Sequence, residues 1–597
     1  MAAPTPLDSP TDLLSLSILV EGEALDDTIE IASVEVIKNI NKIPTAQISI
    51  LDGSVSKEDF TASESDNLVP GKSIEIQAGY HSEVETIFKG IIMSQTIKTH
   101  AEEAPMLVLD CKDEAIKMTV GRKNKYYSDQ KDSDIINSII SDYGLTATVT
   151  ATTVQHAELI QYYANDWDFI MARSEINGHV IAVDDGAVTI GPPDVSSSAV
   201  LEVTYGDSII ESEITVSSKE QLASVQASSW DLSTQALLQS SSSEPTVNEQ
   251  GNITGSTLSD VMSASDYALQ STVPLDKDTL QQWADAQLLK SRINRFQGTL
   301  SFQGNALPKP NTVITVGGLG DRMNGDGYIT SVRHDIDNGN WITEVGFGIS
   351  EKWYTEEMEA APPKAGGILP GVNGLQIGVV KQIDSDPDND YRVLVTLPLI
   401  SDSDTGVWAR LSSFYASSEF GAFFYPETGD EVVLGFLDDN PTYPVILGSL
   451  YSASRTAPYT PDETNSIKSI MTSSKMELSF DDENKVITVL TPGGNSIVLS
   501  DKDSSITVTD LNGNSAEFAS GGVTINSASN LTLKAAQAVS IEGGTSVSIK
   551  ASTSLDAQGS TGVTVTSDAT LSLQGQASAE LKASGTVTVS GAMVSIN

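Results

Sequence analysis

The chain of 597 residues holds a single cysteine, 34 basic residues against 80 acidic ones, and five histidines, none of them after His334. Each scarcity removes a class of function. A lone Cys111 can build neither a disulfide framework nor a cysteine zinc site, so the fold needs no oxidising compartment. Its setting, VLDCKDE, reads as a strand with a buried thiol. A formal charge of -46 opposes binding to nucleic acid and suits a surface that keeps a large assembly soluble and off membranes. No Lys or Arg precedes Lys38 and the N-terminus has no long apolar run, so the parts of a signal peptide are missing. No stretch is apolar for long enough to make a transmembrane helix. The expectation is a product made in the cytoplasm that leaves only if a machine exports it. The last quarter is poorer still, with no proline after Pro492 and no aromatic residue after Phe518. From residue 466 onward there are seven Lys, no Arg and twelve acids, a net of -5 that leaves -41 on the first 465 residues.

What fills that quarter is a count of eight. Val523, Leu531, Val539, Val547, Leu555, Val563, Leu571 and Val587 fall on one octad grid, with Ala579 completing it. Two places after each grid position stand Ile525, Leu533, Ile541, Ile549, Val565, Leu573, Leu581 and Val589, with Ala557 in the remaining place. Self-similarity at a fixed period marks a repeat architecture. The residue inside each pair is polar, so the local period is two, and each pair reads as a short strand with one buried face. The corners carry Gly543, Gly559, Gly575 and Gly591, sixteen apart, alternating with Ser527, Ala535, Ala551, Ser567 and Ala583. Such corners need little bulk or a positive φ.

Eight extended residues span roughly 26 Å at about 3.3 Å each, too little to wind a full turn around their own side chains. Two solutions exist. One is a single-chain roll with sixteen residues per turn, which the alternating glycines allow. The other winds three chains round one axis, encloses an apolar core from all sides and leaves no lateral strand edge. Calcium-binding rolls are similar to the first but carry aspartates at fixed repeat positions, whereas only Asp556 and Asp568 follow Asp510 here. The three-chain needle is the preferred reading, with the sixteen pair residues Val523, Ile525, Leu531, Leu533, Val539, Ile541, Val547, Ile549, Leu555, Val563, Val565, Leu571, Leu573, Leu581, Val587 and Val589 as its core.

Upstream, residues 14 to 110 alternate in β fashion (SVEVIKNI, AQISILDG, SIEIQAGY). DSDIINSIISDYGL predicts a helix with Ile135, Ile136, Ile139 and Ile140 on one face, capped by Asp132 or Ser133 and ended at Gly144. NDWDFIMARSEING predicts a second, capped by Asn165 or Asp166, burying Trp167, Ile170, Met171 and Ser174 and stopping at Gly178. A stretch rich in Ser, Thr and Gln covers 215 to 275, more strands follow at 298 to 350, and EEMEAAPPKAGGILPG separates domains. Five strand-like runs between 374 and 450 (LQIGVVKQI, YRVLVTLPL, GVWARLSSF, GDEVVLGFL, PVILGSLY) fit a small closed barrel of the OB kind. Four basic and twelve acidic residues in 370 to 455 argue against a nucleic-acid groove there.

No constellation in the sequence makes an enzyme, and no metal or cofactor is expected. Asp384, Asp386, Asp388 and Asp390 alternate like a calcium loop, but Asn389 holds the turn-glycine place and Val395 the bidentate-glutamate place. Asp166 and Asp168 read as first-turn acids complementing a helix dipole rather than a catalytic pair. GLGDRMNGDGY follows no phosphate-loop or dinucleotide spacing and reads as a turn.

The order of a β-rich hub, an OB barrel and an octad needle resembles the VgrG spike proteins of contractile injection systems and the hub and spike proteins of contractile phage tails. NKIPTAQISILDGS, DWDFIMARSEING and GYITSVRHDIDNGNW are similar to hub segments of that family, and DPDNDYRVLVTLP, VWARL and FYPETGDEVVLGFLDDNPTYPVILGSLY to its barrel signature. The resemblance implies a mainly β chain: a β-barrel hub with a few helices at 1–365, an OB-fold domain at 366–455, a linker at 456–475 and an intertwined trimeric β-helix at 476–597. It implies a homotrimer docked on a hexameric inner-tube protein among baseplate proteins, with possible effector cargo, meeting the target membrane only transiently as a sheath contracts. A PAAR-type tip protein would cap Val594, Ile596 and Asn597, where the register slips by one residue. Unlike some relatives, the chain shows no lysozyme insert between barrel and needle, no effector domain after the needle and no needle-tip histidine pairs. Delivery would be extracellular or into a target cell. A phage tail spike, or a spike bearing an effector or enzymatic activity, is the alternative; the choice among type VI, extracellular particle and phage tail stays open.

Overall fold

Alternation in SVEVIKNI and AQISILDG becomes strand pairing in the computed structural model, which describes residues 3–8, 13–262, 267–358, 360–400 and 406–596. Ile31–Asn39 and Thr45–Leu51 run antiparallel and turn Val34, Val36, Ile48 and Ile50 inward. They belong to an eleven-stranded sheet that draws strands from both ends of the hub. Ser331–Asp337, the centre of GYITSVRHDIDNGNW, lies against Ile31–Asn39 with Ser331 opposite Asn39 and Asp337 opposite Ser33. That pairing stitches one apolar core, containing Ile48, Phe88, Leu107 and Leu109, to a second containing Leu300, Phe302, Ile329 and Val345. Cys111 is buried in the first core, where desolvation pushes its thiol up to about 12.

Two helices form where the periodicity places them. Helix α1 spans Asp132–Asp142 and buries Ile135, Ile136, Ile139 and Ile140; Gly144 follows at φ +71°. Its expected cap is not made. Lys131 occupies the cap position without a side-chain bond, because the Asp132 carboxylate is turned inward onto Arg173, His156 and Asn177. Helix α2 spans Asp166–Ile176, and Asn165 caps it by accepting the Asp168 N–H at 2.7 Å. Trp167, Ile170, Met171 and Ser174 are buried, and Gly178 follows at φ +67°. The sequence reading had no counterpart to helix α3, Lys277–Ile293, which Asp276 caps through the Thr279 N–H at 2.8 Å. Leu280, Ala284 and Leu288 of α3 pack on Val225, Ala227 and Leu269 of a three-stranded sheet, so part of the Ser/Thr/Gln-rich stretch is folded.

All five runs between 374 and 450 are strands: Gln376–Gln382, Val393–Thr396, Val407–Leu411, Glu431–Phe436 and Pro444–Ser449. They close into a barrel in which the last strand pairs with both the third and the fourth. Val380, Val393, Val395, Ala409, Val432, Leu434 and Ile446 fill it.

Residues 450–597 form a separate unit from residues 1–449. The first part of that unit differs from expectation. Ile467–Met471 is already a strand inside the 456–475 stretch read as a linker, and it opens a seven-stranded antiparallel meander running to Asn526. Every strand is five residues long, and polar side chains close the hairpins locally. Asp481 accepts from the Asn484 N–H at 3.0 Å, Ser500 from Asp503 at 3.0 Å, and Asp510 from Asn512 at 2.9 Å and Asn514 at 2.8 Å. After Asn526 the pattern changes: among the described residues 527–596 no backbone-to-backbone hydrogen bond closes within the chain.

Candidate assembly interface

Five-residue strands in register stack their side chains into rows. One row runs Leu478, Val489, Ile497, Val508, Ala516, Ile525, each directly opposite the next. A second runs Phe480, Ile487, Leu499, Ile506, Phe518, Val523 in the same way. Period two puts both rows on one face and leaves mostly Ser, Thr and Glu between them on the other. The apolar face is the open one: Phe480, Ile487, Val489, Ile497, Leu499, Ile506, Val508 and Phe518 stand 37 to 49% exposed. From Val489 to Ile525 the first row lines a groove of about 780 Å³ together with Leu531 of the second octad.

Both rows end on Val523 and Ile525, the first octad pair, so the meander and the octad repeat share one apolar face. The sixteen pair residues are 45 to 79% exposed in the single chain. A one-chain roll would bury them and pair its turns with itself; neither is seen. The corners explain the glycines by contact rather than by dihedral angle. A Cβ on Gly543, Gly559 or Gly575 would lie 2.1 to 2.3 Å from the carbonyl oxygen three residues on, with φ outside the left-handed range. At Gly591 the nearest carbonyl oxygen is instead that of Met593, two residues on and 3.3 Å away, where the register slips. Beyond it Met593 and Ile596 are almost wholly exposed and Val594 is half exposed. Asn597 lies outside the described residues.

Comparison with known proteins agrees with this architecture. The Alg8 N-terminal domain model matches residues 10–338, more than half of the chain, and the type VI secretion system/phage-baseplate injector OB domain matches 376–451, the closed barrel. The chain belongs to the Alg8 N-terminal domain family and is a VgrG-like spike. Among curated relatives, the type VI secretion system spike protein VgrG3 of Vibrio cholerae is 29% identical over 181 residues, 28% of this chain and 18% of that protein. The Vibrio cholerae protein named actin cross-linking toxin VgrG1 is 28% identical over 186 residues, 28% of this chain and 16% of its own length. The spike thus matches less than a fifth of either relative. Among solved structures, a prophage tail protein from Shewanella oneidensis aligns at TM-score 0.44 with 10% identity, covering 57% of this chain and 98% of that one.

Elsewhere in the spike the candidate acids hold the fold together. Buried Asp166 accepts from Lys123 at 2.6 Å, Tyr143 at 2.7 Å and Gln161 at 2.8 Å. Burial pushes its pKa up, but these three partners outweigh it and hold the carboxyl below the usual carboxylate range. Asp168 accepts the Tyr354 hydroxyl at 2.7 Å. Their side chains are thus tied to named partners, beyond the dipole role read from sequence. Asp386 accepts from the Asp390 N–H at 2.8 Å and the Arg392 Nη2 at 2.6 Å, and the Arg392 bonds and three backbone N–H groups hold it well below the usual range. Among the described residues no group of three His, Cys, Asp or Glu side chains could hold a metal, and no helix is long and apolar enough to cross a membrane.

Besides helix α3, the sequence reading passed over two things. One is the meander, whose signal is a nineteen-residue hairpin period: Leu478, Ile497 and Ala516 repeat at nineteen, as do Phe480, Leu499 and Phe518. The other is the ordered loop after the third barrel strand, where Phe414, Tyr415, Phe420, Phe423 and Phe424 are exposed.

Proposed function

We propose that three copies of this chain form the non-enzymatic central spike of a contractile injection system. Its hub, residues 1–365, docks on a hexameric tail tube and baseplate proteins, and the barrel at 366–455 couples the hub to the needle. Sheath contraction drives the needle through the target membrane, with a PAAR-type tip protein on the surface that includes Val594, Ile596 and Asn597 and with effectors as possible cargo. The chain is made in the bacterial cytoplasm and delivered by the particle. The observation that carries this reading is the octad repeat: its sixteen branched side chains are exposed and its backbone is unpaired within one chain, and so continuous an apolar face with open peptide groups calls for partner chains. Fully burying a Val, Ile or Leu contributes about 1.5 to 3 kcal/mol, so partner chains supply the missing walls. Light scattering of the purified chain should give three times 63.2 kDa. Val563→Asp would set three carboxylates at one axial level and should lower the melting temperature of the trimer; a monomeric wild type, or a mutant trimer as heat-resistant as wild type, defeats the reading.

A further inference from the structure

The needle as proposed poses a problem of alignment. Nine similar octads can pair with one another in more than one register, and a slip of sixteen residues keeps three of the four glycine corners beside another glycine corner. Something outside the repeat has to set the level at which three chains enter it. The meander differs from the octads in one decisive respect: its ladders close within a single chain, from Ile467 opposite Asp481 through to Gly522 opposite Ala519. It can therefore be complete before chains meet, whereas the octads cannot. Its exposed face carries two unbroken apolar rows. Asp482, Glu483, Asp501, Asp503 and Asp510 sit in the turns, and Glu517, opposite Thr507 and Thr524, points to the other face. On a chain of formal charge -46, a face whose one in-register charge is Lys468, opposite Phe480 and paired with Asp482, suits further copies of itself, since a charged partner finds little on it to pair with. Both rows run without interruption into the first octad pair.

We propose that the meander, residues 467–526, is the trimerisation and registration element of the spike: three preformed sheets associate through their apolar rows, and the octads then wind from a common starting level. This rests on the trimeric reading above but makes a separate claim, that neither the hub nor the octads align the chains.

The test co-expresses full-length chains carrying Val547→Cys or Val563→Cys and oxidises the purified protein. Trypsin cleavage after Lys534, Lys550 and Lys582 separates the two positions into different peptides, so mass spectrometry distinguishes links between like positions from 547–563 hybrids. With an intact meander, like-position links should form without hybrids. With Ile497→Ser and Leu499→Ser added to both chains, the ratio of hybrid to like-position links should rise about tenfold, while Val498→Ser on the opposite face should leave it unchanged. Should the double variant not assemble, Ile506→Ala alone serves, with a smaller rise expected. Failure of like-position links to form in the intact chain overturns the three-chain needle itself. Trimers that stay in register with either row variant overturn only the registration role, as do hybrids in the intact chain; loss of all assembly in both row variants, with Val498→Ser assembling as the intact chain does, supports association through the rows.

Discussion

At the scale of single residues, the needle separates two kinds of small corner that composition alone would treat as one. Gly559 faces the Gly562 carbonyl oxygen, 2.2 Å from where a Cβ would sit, whereas alternate corners carry Ala or Ser. Gly559→Ala should destabilise the needle by about 1 to 3 kcal/mol per chain, the usual cost of overpacking. Ala551→Ser, which places at one alternate corner what Ser567 already places at another, should stay within about 0.5 kcal/mol. Thermal melts followed by far-UV circular dichroism would separate them. The glycine spacing was legible in the sequence, and the carbonyl contact that requires it was not. Asp132 shows the same limit. A first-turn aspartate is a reasonable cap by local rules, but Arg173 arrives from another helix to form a fork at 2.7 and 2.9 Å, and that charge-assisted pair wins.

At the scale of elements, legibility followed whether a period was uniform. The octads and the five barrel runs announce themselves, because each strand repeats at a fixed distance or stands between clear turns. The meander hides because antiparallel hairpins alternate their spacing: Leu478 to Val489 is eleven residues, Val489 to Ile497 eight, and only the sum of nineteen recurs. Helix α3 hides for another reason. Its apolar stripe is thin, with Gln, Lys and Arg buried beside Leu280 and Leu288, and partners from the sheet decide its fate. The hairpin period also gives a design rule. Excising Thr491–Thr509, one whole period, keeps strand direction and side-chain face, so the shortened chain should still form SDS-resistant oligomers. Excising Thr491–Ser500, one strand and one turn, reverses the direction of everything downstream and should abolish them.

At the scale of the whole molecule, the chain is two units with different rules of assembly. Residues 1–449 close their own cores, from the eleven-stranded sheet to the barrel. Residues 450–597 bury little of their apolar face and leave the last octads without an internal ladder. The first kind of folding depends on one chain, the second on its neighbours, so the two should melt separately and only the second should depend on protein concentration. Calorimetry at two concentrations would check this, and a single concentration-independent transition would count against it.

The lack of aromatic side chains in the repeat has an optical consequence. All six tryptophans lie at or before Trp408, the last tyrosine is Tyr459 and the last phenylalanine Phe518, so the octads are dark in the near ultraviolet. Tryptophan emission will track the hub and barrel alone, and an experimenter relying on it could watch the body of the spike denature while its shaft stood intact and unseen.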